Sequence, residues 1–392
     1  MTIFSKLTAP PIDFDFDELN DIDVAYDEIV SLEAKLNGMM ADLDVGQQIS
    51  TEGFFSTWLK VALDTIYRLW DRILVMIDGI RVQAENRKVK ANNLLNRIKK
   101  LPDLKKTAKV EYGSLSKWIM LDGKIPSPSE LNKALLEMSK VLQFESNDVM
   151  VYLLRVAERI YPKAEEVFKI ASDTKLKNEE KVSKLVPVFR SIADSGLLIR
   201  KNRTDRSGYS NTQQYDVPLA YVSEPLLGNS RVLVKMEIAD SGAINETGNG
   251  LLNLVDKLYS TRVELDIDHD KYASNLEFVA LNKQEQIKVI ENCIVCLDKI
   301  IQFKVRHQGE LNKSRAKFKS TRDRLINLSK EDDNVEFKLY CRKSAKALHA
   351  TTRWMHSPSA ALLVQSLRSC NAALEYCYRS QKEMINQNKN FS

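Results

Sequence analysis

Cys293 and Cys296 stand three residues apart, the spacing at which two thiolates commonly share a zinc ion. A structural zinc site needs two further Cys or His ligands at matching spacing. His307 is isolated in the sequence, and both cysteines fall within an apolar helical stripe, so the pair reads as core filling. Asp266-x-Asp268-x-Asp270 begins like a calcium-binding loop, but Lys271 takes the place of the glycine such a loop needs for its turn. His349 and His356 flank Trp354 with no carboxylate beside them. No phosphate-cradling glycine loop, nucleophile elbow or HExxH signature occurs. The sequence assigns no catalytic residue, metal ligand or cofactor, and the chain reads as non-enzymatic.

Charge carries more information. Between residues 81 and 110, Arg81, Arg87, Lys88, Lys90, Arg97, Lys99, Lys100, Lys105, Lys106 and Lys109 face only Glu85 and Asp103. A second cluster holds Lys304, Arg306, Lys313, Arg315, Lys317, Lys319, Arg322 and Arg324 against Glu310 and Asp323. Cations at helical spacing can follow a phosphate backbone and release its counterions. The expected nucleic-acid contacts are Arg87, Lys88, Lys90, Arg97, Lys99, Lys100, Lys313, Arg315, Lys317, Lys319 and Arg322. No named nucleic-acid motif accompanies them, and a solvated helix face would show the same pattern.

The elements that must position these groups are long. The chain has 392 residues but only 13 glycines and 10 prolines, so few breakers interrupt its helices. The five cysteines are an odd set, and residues 1–30 are acidic rather than signal-like; a reducing compartment is expected. No apolar run reaches the length of a membrane span. The net charge of +5 conceals a partition. Residues 1–52 carry twelve carboxylates against Lys6 and Lys35, a net −10, which leaves +15 on the remainder. Such an acidic head would screen the basic body or address a basic partner.

Along the chain, Ala25, Ile29, Leu32, Leu36, Met39 and Leu43 set a helix over 20–45. Residues 45–53 are polar, glycine-flanked and free of any apolar stripe, which reads as a linker. Residues 54–80 form the strongest amphipathic helix. Its polar stripe, Lys60, Asp64, Arg68 and Asp71, is mixed in charge, which favours a packed core helix over one lying on a membrane. Ser127-Pro128-Ser129-Glu130 is a capping box with proline at the first helical position. Residues 147–195 read as further helix, interrupted near Pro162 and Pro187. Period-two alternation through Val232 and Val234, and again through Val263, Leu265 and Ile267, predicts two strands. From 282 the helical period returns with a seam at Ile290, Ile294, Leu297 and Ile301. Ser357-Pro358 is read as the start of the last helix, with Leu363, Leu367, Cys370, Leu374 and Cys377 on its core face. The expected fold is mainly α, with long helices and a small β-containing insertion. Its expected parts are an acidic segment 1–52, a helical domain 53–195, the insertion 196–281 and a helical region 282–392.

The junction Ile49-Ser50-Thr51-Glu52-Gly53 carries a resemblance. Prohead proteases of large tailed bacteriophages cut after glutamate, with a small or aliphatic residue two or three positions before the cut. Ser50-Thr51-Glu52 resembles the small-x-Glu form of giant phages, and Ile244-Asn245-Glu246 the aliphatic-x-Glu form of the T-even group. An acidic propeptide, a Glu-Gly junction, a Phe/Trp-rich amphipathic helix and a basic helical body resemble the internal head proteins of these phages. The resemblance implies a precursor cut by the prohead protease between Glu52 and Gly53, with Glu246 a weaker second site. It implies capsid and core proteins and non-specific DNA as partners. It also implies assembly in the host cytoplasm and a final place in the virion interior. Two other readings compete. A helical adaptor or scaffold would show no salt-sensitive DNA binding. A host-directed effector or enzyme would carry a deep pocket around residues 196–281.

Overall fold

The computed structural model describes residues 20–44, 52–102, 109–112 and 114–143, separate positions between 163 and 191, and residues 219–235, 262–267, 276–328 and 335–389. Five long helices dominate it, as the scarcity of glycine and proline requires. They are α1 (Asn20–Asp44), α2 (Glu52–Lys99), α3 (Pro128–Gln143), α4 (Lys283–Leu328) and α5 (Val335–Lys389). A short 3-10 helix spans Ser114–Trp118. The fold is mainly α with a small β part. Among the described residues no helix is long and apolar enough to cross a membrane.

α2 is one helix of 48 residues, not a helix to 80 followed by a separate basic stretch. It begins at Glu52, two residues before the expected start at Phe54. Leu59, Ala62, Ile66, Leu69, Trp70, Ile73 and Ile80 are fully buried, so the face belongs to the core rather than to a membrane surface. Ala84, Ala91, Leu94 and Ile98 carry that face on through the basic stretch. α4 runs antiparallel beside it, because contacts that climb α2 descend α4: Asp64 meets Arg322, Lys88 meets Asp298, and Lys99 meets Glu291. On α1, Ile22, Ile29 and Leu36 recur at heptad spacing and are buried against α2 and α5.

The C-terminal half of α5 is the centre of the molecule. Leu363, Leu367, Cys370, Leu374 and Cys377 are buried as expected, but so are Gln365, Ser366, Ser369, Asn371 and Ser380 on its other faces. Helices α1 to α4 and strands from both sheets pack around it. Here one expectation fails: Ser357-Pro358 does not open a helix, since α5 runs unbroken from Val335 through Pro358. An interior proline removes the hydrogen bond to the carbonyl four residues back, at about 3 kcal/mol. The packing of the buried segment that follows outweighs that local preference.

The capping box at the start of α3 forms as read. The Ser127 N–H donates to Glu130 Oε2 at 2.8 Å, and the Glu130 N–H donates to Ser127 Oγ at 3.3 Å. Of residues 147–195, few are described. The described positions 163, 166, 169 and 170, then 180, 181, 183–185, 187, 188 and 191, are helical; the Leu176 N–H donates to the Asp173 carbonyl between them, and Pro187 is itself helical. Pro162 lies outside the described residues.

Among the described residues, two antiparallel sheets accompany the helices. β1 (Lys109–Tyr112) pairs with β5 (Leu276–Val279), and β2 (Leu219–Val222), β3 (Ser230–Lys235) and β4 (Arg262–Ile267) form the other in that order. β3 and β4 are the strands that alternation predicts, in register Val232↔Leu265 and Val234↔Val263. β1, β2 and β5 were not expected. β1 is a correction, since it interrupts a region read as helical; four residues are too few to show a period. Residues from all four expected segments enter one continuous core, from Ile22 to Met384.

Two tight turns lock the sheet to the central helix. Asp122 and Gly123 take φ of 47° and 77°, and Gly228 and Asn229 take 73° and 51°. The N–H groups of Gly228 and Asn229 donate to the Met120 carbonyl, and the Gly123 N–H donates to Asn229 Oδ1 at 2.8 Å. Gln365 Nε2, from α5, donates to the Leu227 carbonyl at 2.8 Å.

Candidate functional site

The cations expected to meet DNA divide by what α4 does to them. Arg87 is fully buried and so leaves the solvent-facing set; a side chain inside the bundle cannot reach a phosphate. Lys88 donates to Asp298 at 2.6 Å, and Lys99 to Glu291 at 3.2 Å. Arg322 is only 17% exposed; it binds Asp323 at 2.6 Å and Asp64 at 3.6 Å, and its guanidinium lies 4.3 Å from the Tyr67 ring centre. It clamps α4 to α2 and is a structural group. Lys90 and Arg97 are half-buried, while Lys99 and Lys100 are exposed. Arg97 and Lys99 sit in the last turn of α2, where unsatisfied carbonyls favour positive charge. On α4, Lys313 and Lys319 are exposed; the side chains of Arg315 and Lys317 lie outside the described residues.

The two basic clusters do not converge. In the antiparallel pairing, Lys99 and Lys100 lie at the end of α2 that meets Glu291, whereas Lys313 and Lys319 lie beside the Tyr67 end. At 1.5 Å per residue the two patches are on the order of 35 Å apart. The sequence could not show this, because the neutralising partners Glu291 and Asp298 lie 192 and 210 residues away in sequence from Lys99 and Lys88.

At the candidate cleavage site, Glu52 and Gly53 form the first turn of α2. The first N–H groups of a helix have no intrahelical partner, and a terminal turn frays easily. Residues 45–51 and Glu246 lie outside the described residues. Among the side chains described on α2, the first buried one is Leu59.

Of the chemistry-bearing residues, the described cysteines and His349 lie in the core. Cys293 and Cys296 on α4 are fully buried against Cys370 and Cys377 on α5. Burial raises the Cys293 and Cys377 thiols. Cys296 and Cys370 are held well above the ordinary range chiefly by thiol–thiol hydrogen bonding, with Cys370 and Cys293 respectively. Protonated thiols are inert core filler. Asp266 lies within β4 opposite Arg231, not in a loop. His349 is buried, and the side chains of Trp354 and His356 lie outside the described residues.

Long antiparallel helices wrapped round a buried central helix, with charge segregated between the first helix and the rest, define a helical-bundle protein. The family model for phiKZ-like phage internal head proteins matches residues 19–379. The chain belongs to this family, and its place is inside the phage capsid. The matched span includes α1 as well as the later helices. No curated protein and no solved structure matches the chain.

Proposed function

We propose that this internal head protein is made as a precursor, cut by the prohead protease between Glu52 and Gly53, and packed against DNA as the +15 body. The observation that carries the reading is the charge partition: twelve of the chain's 53 carboxylates lie in residues 1–52, and the Ser50-Thr51-Glu52 motif falls at that boundary. The cut severs α1 from α2. What then holds α1 includes its apolar seam, with Ala25, Tyr26, Leu32 and Met39 packed beside it, and the Arg72–Glu28 ion pair, at 2.9 Å and half exposed. Burial of Ile22, Ile29 and Leu36 is worth roughly 5–9 kcal/mol in gross terms. Association of two separate pieces costs about 4–15 kcal/mol. The magnitudes are comparable, so covalent attachment keeps α1 in place and cleavage lets it leave, taking its carboxylates away from the packaged polyanion.

The test is DNA affinity as a function of salt. The body from Gly53 onward binds duplex DNA without sequence preference. If Lys99, released from its exposed pair with Glu291, and Lys100, Lys313, Arg315, Lys317 and Lys319 each neutralise a phosphate, the log–log salt slope is about −5. Lys99→Ala/Lys100→Ala flattens that slope by about 2, and the full precursor binds more weakly than the body. Binding that is salt-independent, or absent at about 50 mM salt, contradicts the DNA role and leaves the helical scaffold reading in its place.

A further inference from the structure

The outward face of α2 carries an uncharged stripe. Val75, Val82 and Val89 recur every seven residues and are 60%, 46% and 61% exposed. Gly79 and Asn86 lie between them on the same face, and Asn93 follows Val89. A Cβ built on Gly79 would meet open space, and both asparagines are exposed. These six positions span five turns opposite the buried face of Ile73, Ile80, Ala84 and Ala91. Glycine within a helix costs about 1 kcal/mol relative to alanine, so Gly79 weakens α2 with no intramolecular packing reason.

The stripe has the grammar of a helix-pairing seam. Valines hold one heptad core position, while Gly79, Asn86 and Asn93 hold the other. Its flanks are opposite in sign. Asp78 and Glu85 lie along one edge, and Lys90 and Arg97 along the other. Two copies of α2 placed side by side in parallel, about a two-fold axis along the helix, bring the acidic edge of each against the basic edge of the other. Glu85 then faces Lys90 of the second copy, five residues further on. An antiparallel pair instead juxtaposes acid with acid and base with base. The asparagines favour the same choice, because an in-register parallel pair lets each amide bond its own counterpart. Glu85 also bonds Arg81 one turn earlier at 3.3 Å, a surface pair that exchanges at small cost.

We infer that α2 pairs with α2 of a second copy, parallel and in register, through Val75, Val82, Val89, Asn86 and Asn93. The seam lies wholly beyond Gly53, so precursor and body both carry it, and the inference does not rest on processing or on DNA binding. Val24 of α1, 61% exposed, lines the same cleft as Val75 and extends the apolar surface at its upper end. The buried strip is narrow, which makes this a weak association favoured where the protein is concentrated.

Sedimentation equilibrium of the full chain over roughly 1–200 µM tests it. The expected result is a monomer–dimer equilibrium, with Val82→Lys monomeric throughout and unchanged in its thermal melt, because position 82 faces solvent. Glu85→Lys and Lys90→Glu each weaken the dimer at least several-fold, and the double exchange restores it. A wild-type chain that stays monomeric overturns the inference, as does a dimer indifferent to Val82→Lys. Failure of the double exchange to restore pairing overturns the parallel arrangement.

Discussion

Gly228 takes a φ of +73°, and a Cβ there would stand 1.9 Å from Gln365 Nε2. The backbone conformation favours glycine, and a Cβ would displace the Gln365 amide that bonds the Leu227 carbonyl. Gly228→Ala is therefore expected to lower stability by about 1–3 kcal/mol, read as a reduced urea midpoint at unchanged slope. Nothing in the sequence flags this position, since the amide that fills the space arrives from the central helix far along the chain. The capping box is the opposite case. Its two hydrogen bonds join residues three apart, so spacing alone was enough to read it. The Ser127 hydroxyl, and then the Ser127 N–H, hold the Glu130 carboxyl below its ordinary range. A carboxyl depressed by folding contributes stability that is present above its unfolded pKa and lost as pH falls through its folded pKa. Glu130→Gln is expected to melt below wild type at neutral pH, and the gap should close on acidification through that window. A gap that does not change with pH would remove the charge from the explanation.

Helices were legible where period and burial agree. The heptad positions of α1, the apolar face of α2 and the Ile290–Leu297 seam all enter the core. Errors came from features that are local in sequence but decided by packing. The Ser-Pro pair at 357–358 has the form of a helix start, yet lies inside a 55-residue helix. The two readings predict opposite outcomes for Pro358→Ala. At a helix start proline is favoured, and its loss is neutral or harmful. Inside a helix its replacement restores a backbone hydrogen bond, and the expected gain is about 1–3 kcal/mol in equilibrium unfolding. The basic stretches show the same limit. Composition located the cations, but Lys88 and Arg322 are tied to carboxylates on another helix, and Arg87 is inside the bundle. The short strands β1, β2 and β5 left no periodic trace because four residues complete only two repeats.

Over the whole molecule, sequence organisation carried more than any single motif. The family match over residues 19–379 makes the chain an internal head protein of the capsid interior, and the segregation of charge around Glu52 gives that assignment a physical mechanism. A precursor with an acidic helix docked on a basic bundle is near charge balance at +5, whereas the body alone is strongly cationic. On the proposed mechanism, loss of residues 1–52 would raise the affinity of the remaining chain for DNA, while the buried face of α2 that is described, from Leu59 on, stays within that chain. The cleavage itself is the step on which this mechanism stands, and mass spectrometry of the protein taken from mature capsids addresses it directly. The account predicts a chain whose first residue is Gly53, with peptides from 1–52 depleted relative to those from α2, α4 and α5. Intact peptides running from Gln48 through Phe54, as abundant as the rest of the chain, would contradict it.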